Sequence, residues 1–564
     1  MRNIFSLSGL LRMALILSVW LTAFPEAHAQ TPDWQSLIRP VGAGGYEVTA
    51  TTTDAAGNLI IVGNFYQPIM LGTTTLTSYG MDDAFVAKWS PASRSFLWAH
   101  QIGGLYTDQA YEVVAAGGNV YVAGEFASGD AKAGSITLIN RHCCNPTSGV
   151  FVAKLTDAGT SATFAWAESI SGLGFRTVDL FKGLAVNGSS VYLAGSFSTE
   201  AMYKNTSIPG GHVLVKLLDN GTTTSFGWLE RIGTNGASNN TINETSVDMV
   251  ANGSSVYFTG WFQGTGQFGN TTLTSAGGAD GYIAKLIDSG GAGGFVWAQS
   301  FGGASSEFPF AMALQGTDVY VTGTFINSAR FGNTTLTSAG NKDLFVAKLN
   351  DAGTTASYQW AQRAGGSEND VSRAIAVRGI DVYVAGSFAG TAAFDTNTLT
   401  SVNSNEIFVA KLQDGSATGT FQWAQQAGGP SSDDVATNVS LSVDGTLYVG
   451  GIARAPAIFG ALSLTQVGPA YMHGFLATLA TGTTLSTPSA ARLELGLYPN
   501  PAHTTVQLPA ATAATKLTLL DNLGRTVRQG NGNTLSVLGV APGLYILQAA
   551  TPGQALRTAR LVVE

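Results

Sequence analysis

The stretch "VYVAGSF" at 382–388 is written into this chain again and again: "VYVAGEF" at 120–126, "VYLAGSF" at 191–197, "VYFTGWF" at 256–262 and "VYVTGTF" at 319–325, with weaker copies "LIIVGNF" at 59–65 and "LYVGGIA" at 447–453. β-Branched and aromatic residues bounded by turn formers read as a strand. The run is apolar on both alternating faces, so both sides are expected to be covered by neighbours. Its glycine lets the strand bend or another backbone approach closely.

Two further markers keep fixed order around it. One is a tryptophan strand, at Trp34, Trp98, Trp166, Trp228, Trp297, Trp360 and Trp423, with spacings of 64, 68, 62, 69, 63 and 63. The other is "FVAKL", present at 151–155, 345–349 and 408–412 and varied at 85–89, 213–217, 282–286 and 475–479. In the cleanest unit, "RAIAV" (373–377), "VYVAGSF", "IFVAKL" (407–412) and "FQWAQQA" (421–427) give four strands, with a "TLTS" piece inside the long connection. A repeat near 64 residues with several strands per unit points to a propeller or related array. The phase is informative. A lone tryptophan strand, "DWQSLIRP" (33–40), precedes the first complete unit, and none follows the last "FLATL". The strand missing at the end is supplied at the beginning, which closes a ring; an open solenoid needs polar caps instead. The expected fold is therefore all-β: a seven-bladed β-propeller over 30–480 with N-terminal strand closure, followed by a small C-terminal β-sandwich.

Regular placement makes the tryptophans core residues between blades. Lys88, Lys154, Lys216, Lys285, Lys348 and Lys411 end the third strands, and Asp157, Asp219, Asp288, Asp351 and Asp414 stand three residues after their lysines. They read as snorkelling lysines with turn aspartates rather than as a site. The pattern W-x-x-x-x-G-G, then an acid, then A-x-A-V, V-Y-V-x-G-x-F and F-V-A-K-L, resembles the bacterial SBBP-type β-propeller repeat over roughly 34–479. That resemblance implies a secreted propeller and names no common ligand.

The 564 residues are too many for one simple core, and 45% hydrophobic residues with only 11% charged argue against disorder. The first 29 residues read as a secretory signal: Arg2 and Arg12, the apolar "MALILSVWLTAF" (13–24) and "AHA" (27–29). No other stretch is long and apolar enough to span a bilayer as a helix. The overall charge is −8, and an acidic main body disfavours nucleic acid as a partner. A Thr/Ser/Pro linker, "TGTTLSTPSA" (481–490), leads to a basic tail of alternating short strands over 491–564. Tyr498, Pro499, Asn500 and Pro501, then Asp521, Gly524 and Arg525, then Gly543 and Tyr545, resemble the type A sorting domain of the type IX secretion system. The resemblance implies export across an outer membrane by that machinery, and a secreted or cell-surface product.

Two sets of carboxylates recur in phase: Glu47, Asp108, Glu307, Asp370 and Asp434, with Glu244 a looser fit, before the first strand of a unit, and Asp83, Asp280, Asp343 and Glu406 before "FVAK". Strand direction places both on one face of the ring, which would be acidic. One reading is loop capping through backbone N–H groups; the other is a ligand-binding face for a cation such as calcium or for a hydroxyl-rich glycan. No cofactor or metal set is evident. Cys143 and Cys144 form an adjacent pair suited to a vicinal disulfide in an oxidising compartment. There is no H-E-x-x-H, G-x-S-x-G or P-loop motif. The expected protein is a monomeric secreted or surface module for binding, adhesion or scaffolding, with glycans or surface proteins as partners. The alternative is a propeller enzyme acting on extracellular polysaccharide.

Overall fold

"VYVAGSF" lies in the strand Asp381–Phe388, whose residues after the first are all buried. In the computed structural model it is the second strand of a four-stranded antiparallel sheet ordered Val371–Arg378, Asp381–Phe388, Glu406–Asp414, Gly419–Ala427. The structure describes residues 32–39, 45–141, 149–172, 180–197, 199–233, 245–402, 405–430, 434–465, 473–480, 497–508, 513, 515–521, 525–551 and 557–564. The sequence readings at 1–29, 481–490, Cys143, Cys144, Glu244 and Gly524 lie outside these residues. Within them there is no helix, so none crosses a membrane.

Seven sheets share this order among the described residues. Their inner strands are Tyr46–Thr53, Asp108–Ala116, Leu180–Asn187, Thr245–Asn252, Glu307–Gln315, Val371–Arg378 and Val435–Leu441, which define blades 1 to 7. Each inner strand contacts the next, and the seventh contacts the first, so the array is a closed β-propeller. Closure is made by the strand Trp34–Ile38, which pairs antiparallel with His473–Ala480 as the outer strand of blade 7. Its register differs from the sequence expectation. In other blades the tryptophan pairs with the "FVAKL" lysine, as in Trp423 with Lys411. Here Ser36 faces Thr478 and Trp34 faces Leu479, so Ser36 holds the tryptophan position.

The "TLTS" pieces form short hairpins that reach back to the preceding blade: Lys132 pairs with Gly103, Tyr203 with Ile170 and Ala393 with Gly365. On the opposite face, the lysines do not snorkel. Five of them are buried and ion-paired to the turn aspartate of the following blade: Lys88–Asp157, Lys154–Asp219, Lys216–Asp288, Lys285–Asp351 and Lys348–Asp414, at 2.5–2.6 Å. The same aspartates accept from the indole Nε1 of Trp98, Trp166, Trp228, Trp297 and Trp360 at 2.8–3.1 Å. Four of them also accept from the hydroxyl of Tyr121, Tyr192, Tyr257 or Tyr320. Every side chain in this latch is a repeat residue, and every bond crosses between blades. A buried cation needs such a partner, because taking a lone charge out of water is costly. The latch explains why lysine, tryptophan, tyrosine and aspartate recur together.

The second compact unit, Gly482–Glu564, carries a four-stranded sheet ordered Thr526–Asn531, Lys516–Leu520, Gly543–Ala550, Arg557–Val563 and a pair Thr505–Gln507 with Thr534–Ser536. Val506, Leu517, Leu519, Leu547 and Leu561 form its core.

Candidate functional site

The eight recurring carboxylates are brought together two by two. Each pair joins the start of a third strand to the start of the next blade's inner strand: Asp83 with Asp108, Asp280 with Glu307, Asp343 with Asp370, and Glu406 with Asp434. All eight are at most 3% exposed. They do not form an open acidic face, because the loops fold over them and point backbone N–H groups at them. Gly104, Gly303, Gly366 and Gly429 donate N–H to Asp108, Glu307, Asp370 and Asp434 at 2.7–2.9 Å. Tyr79, Ala276, Ala339 and Val402 do the same for Asp83, Asp280, Asp343 and Glu406 at 2.8–3.1 Å.

This accounts for the "GG" of the repeat. The second glycine is the donor just named. The first gives the pair room: a Cβ on Gly365 would lie 2.8 Å from both Asp343 Cγ and Asp370 Oδ2. Burial dominates the electrostatics. It pushes Asp83 and Asp370 up to about 7, Asp108 and Asp280 to about 6 and Glu307 to about 8, with the partner carboxylate adding to the rise for Asp83, Asp370 and Glu307. Oδ1 of Asp83, Asp280 and Asp343 and Oε1 of Glu307 are buried without a hydrogen-bond partner. One proton shared within a pair would satisfy such oxygens. Glu47 is out of phase. Tyr46 holds the place of Asp108, three residues before the irregular position of its strand, and a one-residue slip turns Glu47 to the other face.

The chemically distinctive residues lie on the ring axis. All seven inner strands carry a register irregularity at the same phase, and the extra residues are Thr49, Tyr111, Lys182, Val247, Phe310, Arg373 and Thr437. A bulge of this kind re-aims a side chain out of the ladder. Thr49, Tyr111, Phe310, Arg373 and Thr437 line an axial cavity of about 300 Å³, with Glu112, Asp248 and Asn438 one residue further on. The Arg373 guanidinium lies 5.3 Å from the Phe310 ring centroid, and enclosure by the ring lowers its pKa from the usual value. Tyr111 donates to Gln109 Oε1 at 2.5 Å. Some lining groups fasten the ring: Thr49 Oγ1 donates to Ala110 O, Thr437 Oγ1 to Val48 O, and Asp248 accepts from the N–H of Met249 and Met312. Sequence reasoning placed function in the loops and missed this ring. The available signal was a position fixed in phase yet free in chemistry: Thr, Tyr, Lys, Val, Phe, Arg, Thr.

In the C-terminal unit, Asn500 fastens the last strand. Its Nδ2 donates to Arg560 O and its Oδ1 accepts from Val562 N–H. Asp521 pairs with Arg525 at 2.8 Å, and the Tyr545 hydroxyl donates to Ala541 O. Tyr498 is exposed.

The fold and its appended unit define a β-propeller protein with a separate small β domain. Residues 496–564 match the family described as "Secretion system C-terminal sorting domain". The tail is thus a type IX secretion sorting domain, which implies interaction with that machinery and marks the chain as secreted or cell-surface. No curated protein matches the chain. Among solved structures, it is similar to the Neurospora crassa Pan2 WD40 domain (8% identity, TM-score 0.38, covering 80% of this chain and 97% of that one). It is also similar to Drosophila Semaphorin 2a (8%, 0.36, 95% and 99%) and to Trypanosoma rangeli sialidase in complex with the inhibitor DANA (7%, 0.32, 92% and 84%).

Proposed function

We propose that the chain is a surface or secreted binding module, serving adhesion or scaffolding, whose ligand enters the axial cavity. The observation that carries this is the contrast between a uniform frame and a variable ring. Latch residues repeat, whereas the bulge residues vary in chemistry around the ring, and five of them, Thr49, Tyr111, Phe310, Arg373 and Thr437, line an open space of ligand size. Arg373 on the Phe310 face, Tyr111 and the surrounding hydroxyls suit a hydroxyl-rich ligand such as a glycan. The test is a glycan array on the full chain, with calcium and with chelator, comparing wild type with Tyr111→Ala and Arg373→Ala. Binding reduced at least tenfold, with unchanged circular dichroism, supports the reading; undiminished binding by both variants refutes it.

Hydrolysis of extracellular polysaccharide is the second reading, drawn from Glu112 and Asp248 in the same lining. Asp248 commits both oxygens to main-chain N–H groups, which suits a clamp between blades 4 and 5 better than an acid or base.

A further inference from the structure

Blades 1 to 5 are each latched to the blade that follows, and the junction between blades 7 and 1 is built from the same four positions with different residues. Tyr448 keeps the tyrosine place. Thr478 stands where the lysine would be, Ser36 where the tryptophan would be, and Pro91, three residues after Lys88, where the aspartate would be. The hydroxyls of Ser36 and Thr478 bond to each other at 2.7 Å. Replacing an indole and a lysine chain by two hydroxyls removes volume that the backbone cannot refill, since the strands are held by their ladders. What remains is a cavity of about 720 Å³ lined by all four of these residues.

The chemistry of that cavity follows from what was removed. At the five latched junctions the aspartate supplies a carboxylate to the lysine and indole donors of the preceding blade, and at four of them to its tyrosine as well. At the closing junction no acidic side chain lines the cavity, and two guanidinium groups, Arg39 and Arg94, do. Both arginines are exposed, and among the described residues neither makes an ion pair. The Tyr448 hydroxyl, freed from its usual aspartate, lies in the wall beside Trp89, whose ring meets Tyr448 edge-on at 6.2 Å. An anion with a ring-sized body fits this space: the body takes the volume of the missing indole, and the carboxylate takes the place of the missing aspartate. Arginine is suited to carboxylate recognition by its fork of donors.

We propose that the blade 7–blade 1 cavity binds a carboxylate-bearing sugar, the uronic acid unit of an acidic extracellular polysaccharide. The site is separate from the axial cavity. The experiment titrates the full chain by calorimetry with trigalacturonate, its neutral methyl ester and a glutamate-rich peptide. Trigalacturonate is expected to bind at least tenfold more tightly than the ester, and Arg39→Ala with Arg94→Ala to remove that preference. Pro91→Asp with Thr478→Lys, which restores the latch charges, is expected to abolish binding and raise the unfolding temperature. Equal binding of acid and ester overturns the proposal, as does binding of the peptide alone or wild-type affinity in the Pro91→Asp/Thr478→Lys protein. If that protein does not fold, the two exposed arginine substitutions still decide, and tight binding that survives both overturns the site.

Discussion

Removing the aspartate of one latch isolates what holds neighbouring blades together. Asp351 accepts from Lys285 Nζ at 2.6 Å, Tyr257 Oη at 2.6 Å, Trp297 Nε1 at 2.9 Å and Gly353 N at 2.9 Å. The Lys285 and Asp351 side chains are 7% and 4% exposed. Asp351→Ala leaves Lys285 with the Gly353 carbonyl at 3.2 Å and takes the acceptor from three further donors, the Tyr257 hydroxyl, the Trp297 indole and the Gly353 N–H. Breaking a buried pair by removing one partner costs about 3–5 kcal/mol. The chain supplies its own control in blade 6. There Lys411 pairs with Asp381 of the same sheet at 2.9 Å, with side chains 16% and 32% exposed. Solvent screens that pair, so Asp381→Ala is expected to cost no more than about 1 kcal/mol. Urea unfolding followed by tryptophan fluorescence measures both, and it reports the propeller and not the C-terminal unit, because every tryptophan precedes residue 424 and nine of the ten lie between Trp34 and Trp423. A second variant, Lys285→Met with Asp351→Leu, should recover much of the loss, since it buries no uncompensated charge. If Asp351→Ala falls within about 1 kcal/mol of Asp381→Ala, the latch is not what holds the blades together. If the double variant is as unstable as Asp351→Ala, packing rather than charge carries the effect.

Two further outcomes follow from the carboxylate pairs. The raised values of Asp83, Asp280 and Glu307, about 6 to 8, mean that the folded state holds protons the unfolded chain releases near pH 4. That contribution is full below pH 4 and is lost as pH rises through 6 to 8. Asp288 of the latch acts in the opposite sense: against the cost of its burial it is held down to about 2 by Lys216, Tyr192 and Trp228, so it contributes above pH 4 and loses its contribution as pH falls toward 2. The unfolding temperature should therefore peak between pH 4 and 6, and Asp280→Asn with Glu307→Gln should flatten the alkaline side; an unchanged alkaline slope would count against proton storage in that pair. Gly365→Ala, at φ +139° with its Cβ against both Asp343 and Asp370, should destabilise by about 1–3 kcal/mol, read in the same urea assay, whereas Gly316→Ala, with nothing within 4 Å at φ +64°, should cost only its backbone strain, about 1 kcal/mol.

Repetition made the frame legible. A strand buried on both faces must be mostly apolar along its length, and a ring of like sheets must write that strand again in each blade, so "VYVAGSF" and its copies announce both strand and array. The orphan strand 33–40 likewise announced closure, because a ladder edge left open at one end of the chain must be matched at the other. The tail motifs, being local, were equally readable. The partners of repeated polar residues were not. Lys285 and Asp351 are 66 residues apart, and nothing along the chain distinguishes a lysine reaching solvent from one reaching the next blade's aspartate. The carboxylates were found by phase, but whether they face water or lie under a loop depends on the path of the "GG" backbone above them. A two-residue shift of the first strand put Ser36 rather than Trp34 in the latch position and opened a cavity. Strand identity is set by side-chain periodicity within a few residues; burial, pairing and empty space are set by which blades the ring brings side by side.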